Sequence, residues 1–514
     1  MVTPNSNITL LKTPMELSDA NTLSFATETA KYNYFNSLTK LALTGATYQR
    51  KEGVVRYPTT STITFEDILE YNYCMYQNAS YDTKWFYAYI TDVKYINDGM
   101  VEISLRTDAF MTWQNDIVYK ASFIEREHVG DDTRGLHTIP EGLETGEYVV
   151  DSKTQESYNS NLCCVIGSTA SPGEYANLYG GYYNGIPSGI TYYRYDDYTD
   201  IPTFLNALAI NSKIDAVIDM FLAPKWLAGG TSWQNVTIPT SNTVASFDFS
   251  VPEISTIDGY TPKNNKTLCY PYCYTILSNE QGSQGILHQE LWTNATGTTN
   301  KKVRVYGCLT PGCSIRAVPL DYKDNAIAFI EGINLGKFPQ LNWTTDQYTN
   351  WLTQNGVNIA TSIASGATNL AIGVGTGKVS SIIGGASQIT STLGEVYAHS
   401  LVPDQAKGNT NNGDVTTASS NNIFTAYNMT IRSEMAKVID DYFTMYGYKV
   451  NALEVINPHK RTYFDYIKTI GCNIIGNIPQ ADMEEIRKLY DNGLTIWHDT
   501  TKFLDYSVNN AIIS

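Results

Sequence analysis

Apolar and polar positions alternate through the first part of the chain and recur at helical spacing toward its end. Residues 89–96 and 100–105 alternate on either side of Asn97-Asp98-Gly99, residue types that tolerate the positive φ of a tight turn, so a β-hairpin is predicted there. Two short helices interrupt the β pattern. Thr64-Phe-Glu-Asp67 has the spacing of a capping box, and Thr107-Asp108 opens a helix through Phe110, Met111 and Trp113. Residues 151–345 read as further β structure with frequent turns, including 182–189 and Pro262-Lys-Asn-Asn-Lys266. One helix is expected over 203–221, stopped by Ala223-Pro224. Later, Phe424, Tyr427, Ile431, Met435, Val438, Tyr442 and Met445 recur at steps of three and four, which predicts a helix of more than five turns. A shorter helix fits 481–491, ending at Asn492-Gly493. No internal repeat of roughly 20–50 residues is visible.

Both periodicities give way over residues 356–402, where Lys378 and Glu395 are the only charged residues. The segment has the hydrophobicity of a membrane-seeking peptide but no run of ~18 consecutive apolar residues, so it is not a constitutive transmembrane helix. Ile382, Ala386, Ile389, Leu393 and Val396 form one helical stripe, and Gly373 and Gly377 form a G-x-x-x-G pair. A buried pair of core helices is the plainer reading. Eight glycines within these residues argue against it, each weakening an ordinary helix by about 1 kcal/mol relative to Ala. An Asn/Thr/Ser/Gly linker over 403–422, expected to be mobile, follows directly. The expectation is a membrane-active loop, soluble while shielded and lipid-compatible when released. Its lipid-meeting positions would be Val357, Ile359, Ile363, Leu370, Ile372, Val374, Val379, Ile382, Ile383, Ile389, Leu393 and Val396.

Charge sharpens this contrast. The 514 residues carry 51 acidic and 35 basic groups, a net charge of −16, and residues 1–355 hold 37 acidic and 24 basic groups, or 13 of the 16 net negative charges. Such a surface repels a duplex, which excludes a DNA-gripping role but not a wall that DNA slides past. The length suits about three domains, and the 38 Tyr and low charged fraction of 17% exclude general disorder. The amino terminus lacks the basic and long apolar regions of an export signal, so the chain is expected to fold where it is made.

Candidate chemistry is sparse, and no catalytic, cofactor-binding or metal-binding residues are assigned. Gly373-Val-Gly-Thr-Gly-Lys378-Val-Ser380 fails as a phosphate loop, because Ile372 stands where the first Gly is needed and Val379 where Ser or Thr must follow the Lys. Cys269, Cys273, Cys308 and Cys313 could in principle ring a zinc ion. Their spacing is wider than a zinc knuckle, and 268–277 reads as a strand with two buried thiols. Cys74, Cys163, Cys164 and Cys472 likewise read as buried thiols of a reducing compartment. No H-E-x-x-H or G-x-S-x-G string exists, and His128 within Glu125-Arg-Glu-His128 reads as part of a salt-bridged turn. Paired carboxylates for sugar hydrolysis need no sequence spacing, so a carbohydrate-active or wall-binding protein remains the alternative. A secreted pore-forming toxin would share the membrane segment but need an export signal.

Several strings resemble the tail knob, or distal tail tube, proteins of small short-tailed phages of Gram-positive hosts. They are Thr107-Asp108 through Trp113-Gln114, Ser122-Phe123-Ile-Glu125-Arg126-Glu127-His128-Val129, Pro140-Glu141 to Gly146-Glu147-Tyr148, and Leu335-Gly-Lys-Phe338-Pro339-Gln340 with Trp343 and Trp351-Leu352. The tail adds Gly471-Cys472-Asn473-Ile474, Gly476-Asn477-Ile478-Pro479, Asp482-Met483-Glu484, Asn492-Gly493, Trp497-His498 and Asp505-Tyr506-Ser507. The resemblance implies an α+β, mainly β fold: a β-barrel-like tube domain over 1–150, β-rich knob insertions over 151–345, the hydrophobic loop and linker over 346–422, and a helical C-terminal return segment over 423–514. It further implies a homo-oligomer, a hexameric hollow tube at the distal end of the virion tail, joined to other tail proteins of the lower collar or tail tube. DNA would transit the lumen without specific binding, and the loop would meet host membrane lipids. Tyrosine-rich subunit contacts and insertion of the loop as helices fit this expectation.

Overall fold

The computed structural model describes residues 6–43, 46, 48–50, 53–60, 62–78, 83–157, 162–170, 182–183, 186–187, 190–195, 204, 207–208, 213, 216–228, 245–280, 282–292, 301–307, 314–322, 332–337, 340–343, 406–409 and 423–513. The chain divides into two compact units, one of residues 1–144, 262–267 and 434–514, the other of 145–261 and 268–433. Both are mainly β.

The first unit holds a seven-stranded antiparallel sheet in the order Lys40–Leu43, Ser6–Leu11, Tyr73–Asn78, Phe86–Asn97, Met100–Thr107, Val54–Tyr57, Tyr48–Gln49. The expected hairpin is at its centre: Asn97 pairs with Met100, leaving Asp98-Gly99 as the turn. Met100–Thr107 alternates strictly, with Val101, Ile103, Leu105 and Thr107 buried. A five-stranded sheet runs in the order Asn21–Leu23, Leu494–Trp497, Phe464–Ile470, Ala121–Glu127, Tyr448–Val455, the first pair parallel. Ile8, Leu10 and Ile103 of the larger sheet share one core with Ile124, Ile467, Leu494 and Ile496 of the smaller. Ile486 and Tyr490 of the helix Gln480–Asn492 join the same core. Neither sheet closes on itself among the described residues.

Both short helices form for the reasons legible in the sequence. Phe65–Leu69 carries a reciprocal capping box, Asp67 N donating to Thr64 Oγ1 at 3.3 Å and Thr64 N to Asp67 Oδ2 at 2.8 Å. Ala109–Trp113 starts where Asp108 Oδ1 accepts from Met111 N at 2.9 Å.

The second unit contains three larger sheets and one small hairpin. One sheet runs Tyr148–Ser157, Ile423–Ile431, Cys273–Ser278, Gln284–Leu287. Another runs Thr191–Tyr195, Leu162–Ser168, Val217–Pro224, Gln340–Trp343, Ala406–Asn409, and a third Ser246–Val251, Lys301–Gly307, Ser314–Pro319, Ile333–Lys337.

The helical reading of 423–514 is corrected. Its strands Tyr448–Val455, Phe464–Ile470, Ile474–Ile475 and Leu494–Trp497 interleave with helices Ser433–Tyr446 and Gln480–Asn492. The long helix expected over 424–445 is half strand: Ile423–Ile431 pairs with Tyr148–Ser157 on one side and Cys273–Ser278 on the other. This strand mixes apolar side chains with Thr425, Asn428 and Thr430, so helical spacing arises there by coincidence, and its β-branched and aromatic residues favour extended backbone. The helix expected over 203–221 gives way to a strand from Val217 to Pro224, central in its sheet, where an apolar run broken only by Asp219 carries no period to tell strand from helix. Phe204, Ala207 and Leu208 are helical as expected, and most other positions of that helix lie outside the described residues.

Residues 268–277 are strand only from Cys273, because Pro271 cannot donate to a ladder. Tyr272 N donates to Cys269 O at 2.9 Å in the turn before it. Within the 403–422 linker, Ala406–Asn409 pairs antiparallel with Gln340–Trp343. A polar composition does not prevent addition to a sheet edge.

Candidate functional site

In the first unit, the strand Ala121–Glu127 delivers Arg126, Glu127 and His128 inward at its end, where a polar cluster replaces apolar core. Glu141, wholly buried, takes Lys266 Nζ on one oxygen and Arg126 Nη2 on the other, and also accepts from Lys449 N at 3.0 Å. Burial pushes the Glu127 carboxyl up to about 7 against the pull of its partner Lys460. Asp440, on the helix Ser433–Tyr446, accepts from Lys263 N at 2.8 Å, Asn264 N at 3.0 Å and Thr267 Oγ1 at 3.2 Å. These bonds hold the 262–267 segment in this unit.

His128 is not in a turn and is no free base. Its Nδ1 accepts from Tyr466 N at 2.8 Å and its Nε2 faces the Thr444 carbonyl at 3.0 Å, so both ring nitrogens are committed. Burial lowers its pKa to about 4, keeping the ring neutral. His498 Nε2 lies 2.9 Å from Asp465 Oδ2, and its ring centroid lies 4.5 Å from that of His459, the planes tilted by 39°. The cluster is an ionic clasp whose charged groups pair mainly with one another, which suits architecture.

Two features face outward. The first is an apolar row across adjacent strands of the five-stranded sheet: Phe123 lies opposite Leu453 on one side and Ile470 on the other, and Val455 opposite Ala121. Leu453 is 73% exposed, Ile470 59% and Val455 55%. Beside it, Val118 pairs with Ile475, both exposed. Large apolar patches of this kind mark interaction surfaces. The second is a cleft of about 760 Å³ bounded by Tyr32, Trp85, Trp113, Lys84 and Asp116.

The twelve apolar positions assigned to the loop, the glycine-rich 373–380 string, Cys164, Cys308, Cys313 and His399 lie outside the described residues or have undescribed side chains. Cys74, Cys163, Cys269, Cys273 and Cys472 are buried thiols, as read. Among the described residues no cluster of His, Cys, Asp and Glu could hold a metal ion. No described helix is long and apolar enough to cross a membrane. Sequence reasoning missed both outward features. The row had a signal in Phe123-Ile124, adjacent apolar residues that a strand must send to opposite faces. The cleft had none, since its walls come from positions 28–32, 83–87, 113–116 and 477–479.

A family model described as the C-terminal domain of the tail knob protein gp9 of Bacillus phage phi29 matches residues 237–511, and one described as the Caudoviral major tail protein N-terminus matches residues 4–120. The chain is 25% identical to tail knob protein gp9 of Bacillus phage phi29 and 26% identical to that of Bacillus phage PZA, each over 98% of both chains. Against the tail knob protein gp9 of Bacillus phage B103 the identity is 25% over 95% of both. The solved structure of the bacteriophage C1 tail knob protein, gp12, shares the fold, with a TM-score of 0.64 at 16% identity over 99% of this chain and 100% of that one. The phi29-type match spans more than half of the chain. The chain belongs to the phage tail knob protein family, with a structural, non-enzymatic role at the distal end of the virion tail.

Proposed function

We propose that copies of this chain assemble, as a hexamer, into a hollow tube at the tail tip, that DNA passes through it without specific binding, and that residues 356–402 first plug the tube and then enter the host membrane. The observation that carries the assembly is the exposed row Leu453–Phe123–Ile470. On a chain of net charge −16, like copies repel except where charge is absent, and this row is a charge-free surface. In this reading the tube wall takes a barrel-like form only when sheets of neighbouring copies complete one another. Sheet edges left unpaired among the described residues support that.

The acidic excess in residues 1–355 favours transit over gripping, because phosphate finds few cationic holds. The loop reading rests on its composition, and the family match runs through residues 356–402. Other proteins of the tail would meet the assembled ring at its base.

Mass measurement in solution tests the assembly, a ring of six being expected. Deleting 356–402 should leave that mass per ring intact, less the deleted residues, and abolish leakage from liposomes. Equal leakage from deleted and full-length protein would overturn the loop assignment, and a monomer at every concentration would overturn the tube.

A further inference from the structure

Beyond assembly, we propose that the cleft bounded by Tyr32, Trp85 and Trp113 binds a short run of neutral hexopyranose rings. Its volume of about 760 Å³ is within the range of small-ligand sites. The walls come from different elements of one unit. Tyr32 and Glu28 stand one turn apart on the helix Glu28–Ser37, Trp85 leads into the strand Phe86–Asn97, and Trp113 ends the short helix before Asp116.

The chemistry selects the ligand. Trp85 and Tyr32 lie with ring centroids 5.3 Å apart at 30°, a partly exposed aromatic platform. A sugar ring presents one flat C–H face and a rim of hydroxyls, and matches a platform edged by hydrogen-bonding groups. Glu28 and Asp116 supply those edges, with side chains 44% and 37% exposed.

The cation the site already contains argues against charged ligands. Lys84 Nζ lies 4.6 Å from the Trp113 ring centroid, 2.5 Å from Asp116 Oδ2 and 3.4 Å from Glu28 Oε1. A ligand cation would compete with Lys84 for the same carboxylates, and a polyanion would meet both carboxylates first.

An independent observation points to a polar ligand. Tyr87 lines the cleft and is wholly buried, and its hydroxyl has no hydrogen-bond partner among the described residues. Buried hydroxyls are rarely left unmatched; this one is closed to solvent, and an outward shift of the cleft wall on binding would let a ligand hydroxyl supply the match.

The test titrates the full-length assembled protein with N,N′,N″-triacetylchitotriose, maltotriose and, separately, glycerol phosphate polymer, reading saturation-transfer NMR and tryptophan fluorescence. At least one neutral trisaccharide should bind with a dissociation constant on the order of 1 mM. Trp85→Ala should weaken it at least tenfold, and Tyr87→Phe, which keeps the ring and its packing, severalfold, with unchanged melting temperature and assembled mass. No binding of either trisaccharide at about 10 mM, binding of the phosphate polymer alone, or wild-type affinity in Tyr87→Phe and Trp85→Ala would overturn the proposal. So would a Trp85→Ala chain that loses its assembled mass, since the cleft would then be a subunit contact. None of these readings depends on liposome leakage.

Discussion

The backbone N–H of Tyr466 donates to Nδ1 of His128 at 2.8 Å, and this one bond fixes the tautomer of the ring. With Nδ1 accepting, Nε2 carries the hydrogen and donates to the Thr444 carbonyl at 3.0 Å. A proton arriving on Nδ1 would set two donors against each other. With a pKa of about 4 in the fold and about 6.5 unfolded, the neutral ring stabilises fully above that unfolded value. Its contribution is lost as pH falls toward 4, since the unfolded chain then binds the proton more readily. His128→Gln should therefore cost stability at pH 7, and the gap to wild type should shrink by on the order of 3 kcal/mol on acidification through that window. Glu127 contributes with the opposite sign over part of it, but does so in both chains. Urea unfolding at a series of pH values measures the gap, and a constant gap would show that another group titrates.

Gly447 follows the helix Ser433–Tyr446 at a φ of +61°, and its N–H donates to Phe443 O at 2.9 Å. A Cβ there would lie 2.0 Å from the Glu127 carbonyl oxygen and 2.5 Å from His128 N. Backbone cannot move aside as a side chain can. Gly447→Ala should destabilise the first unit by about 3 kcal/mol or more, read by thermal denaturation, whereas alanine at Gly142, where a Cβ meets nothing within 4 Å, should show only the smaller cost of its φ of +72°.

Glu141 joins Arg126, 15 residues before it, to Lys266, 125 residues after it. Glu141→Gln removes the carboxylate that two buried cations share, at a cost of roughly 3–5 kcal/mol. A companion Lys266→Met should recover part of that loss by removing one of the two charges. The double-mutant cycle measures it, and strict additivity would mean that the clasp is not a coupled unit.

Leu453 is 73% exposed, so Leu453→Glu should change monomer stability by less than about 0.5 kcal/mol. The same charge placed in the row beside Phe123 should reduce the assembled mass seen by sedimentation. Unaltered assembly would move the subunit contact elsewhere.

Much of the first unit was legible because its signals are local. Asp98-Gly99 turns a hairpin, Thr64 and Asp67 cap each other, and Asp108 caps the next helix, each within a few residues. Ile423–Ile431 was not legible, because what makes it a strand is its two neighbours, Tyr148–Ser157 and Cys273–Ser278, far away in sequence. The cleft was invisible for the same reason. His128 was legible as an ionic-cluster member but not in its position, since its partners Thr444 and Tyr466 arrive more than 300 residues later.

The parallel pairing of Asn21–Leu23 with Leu494–Trp497 sets a timetable for the molecule. During synthesis the early strands Ser6–Leu11 and Asn21–Leu23 emerge long before the strands that complete their core, and they wait through translation of the entire second unit. A chain interrupted before Leu494 lacks the strand beside Asn21–Leu23 and cannot finish its first unit. Incomplete copies thereby fail before any assembly step, and the fold itself inspects each subunit for length.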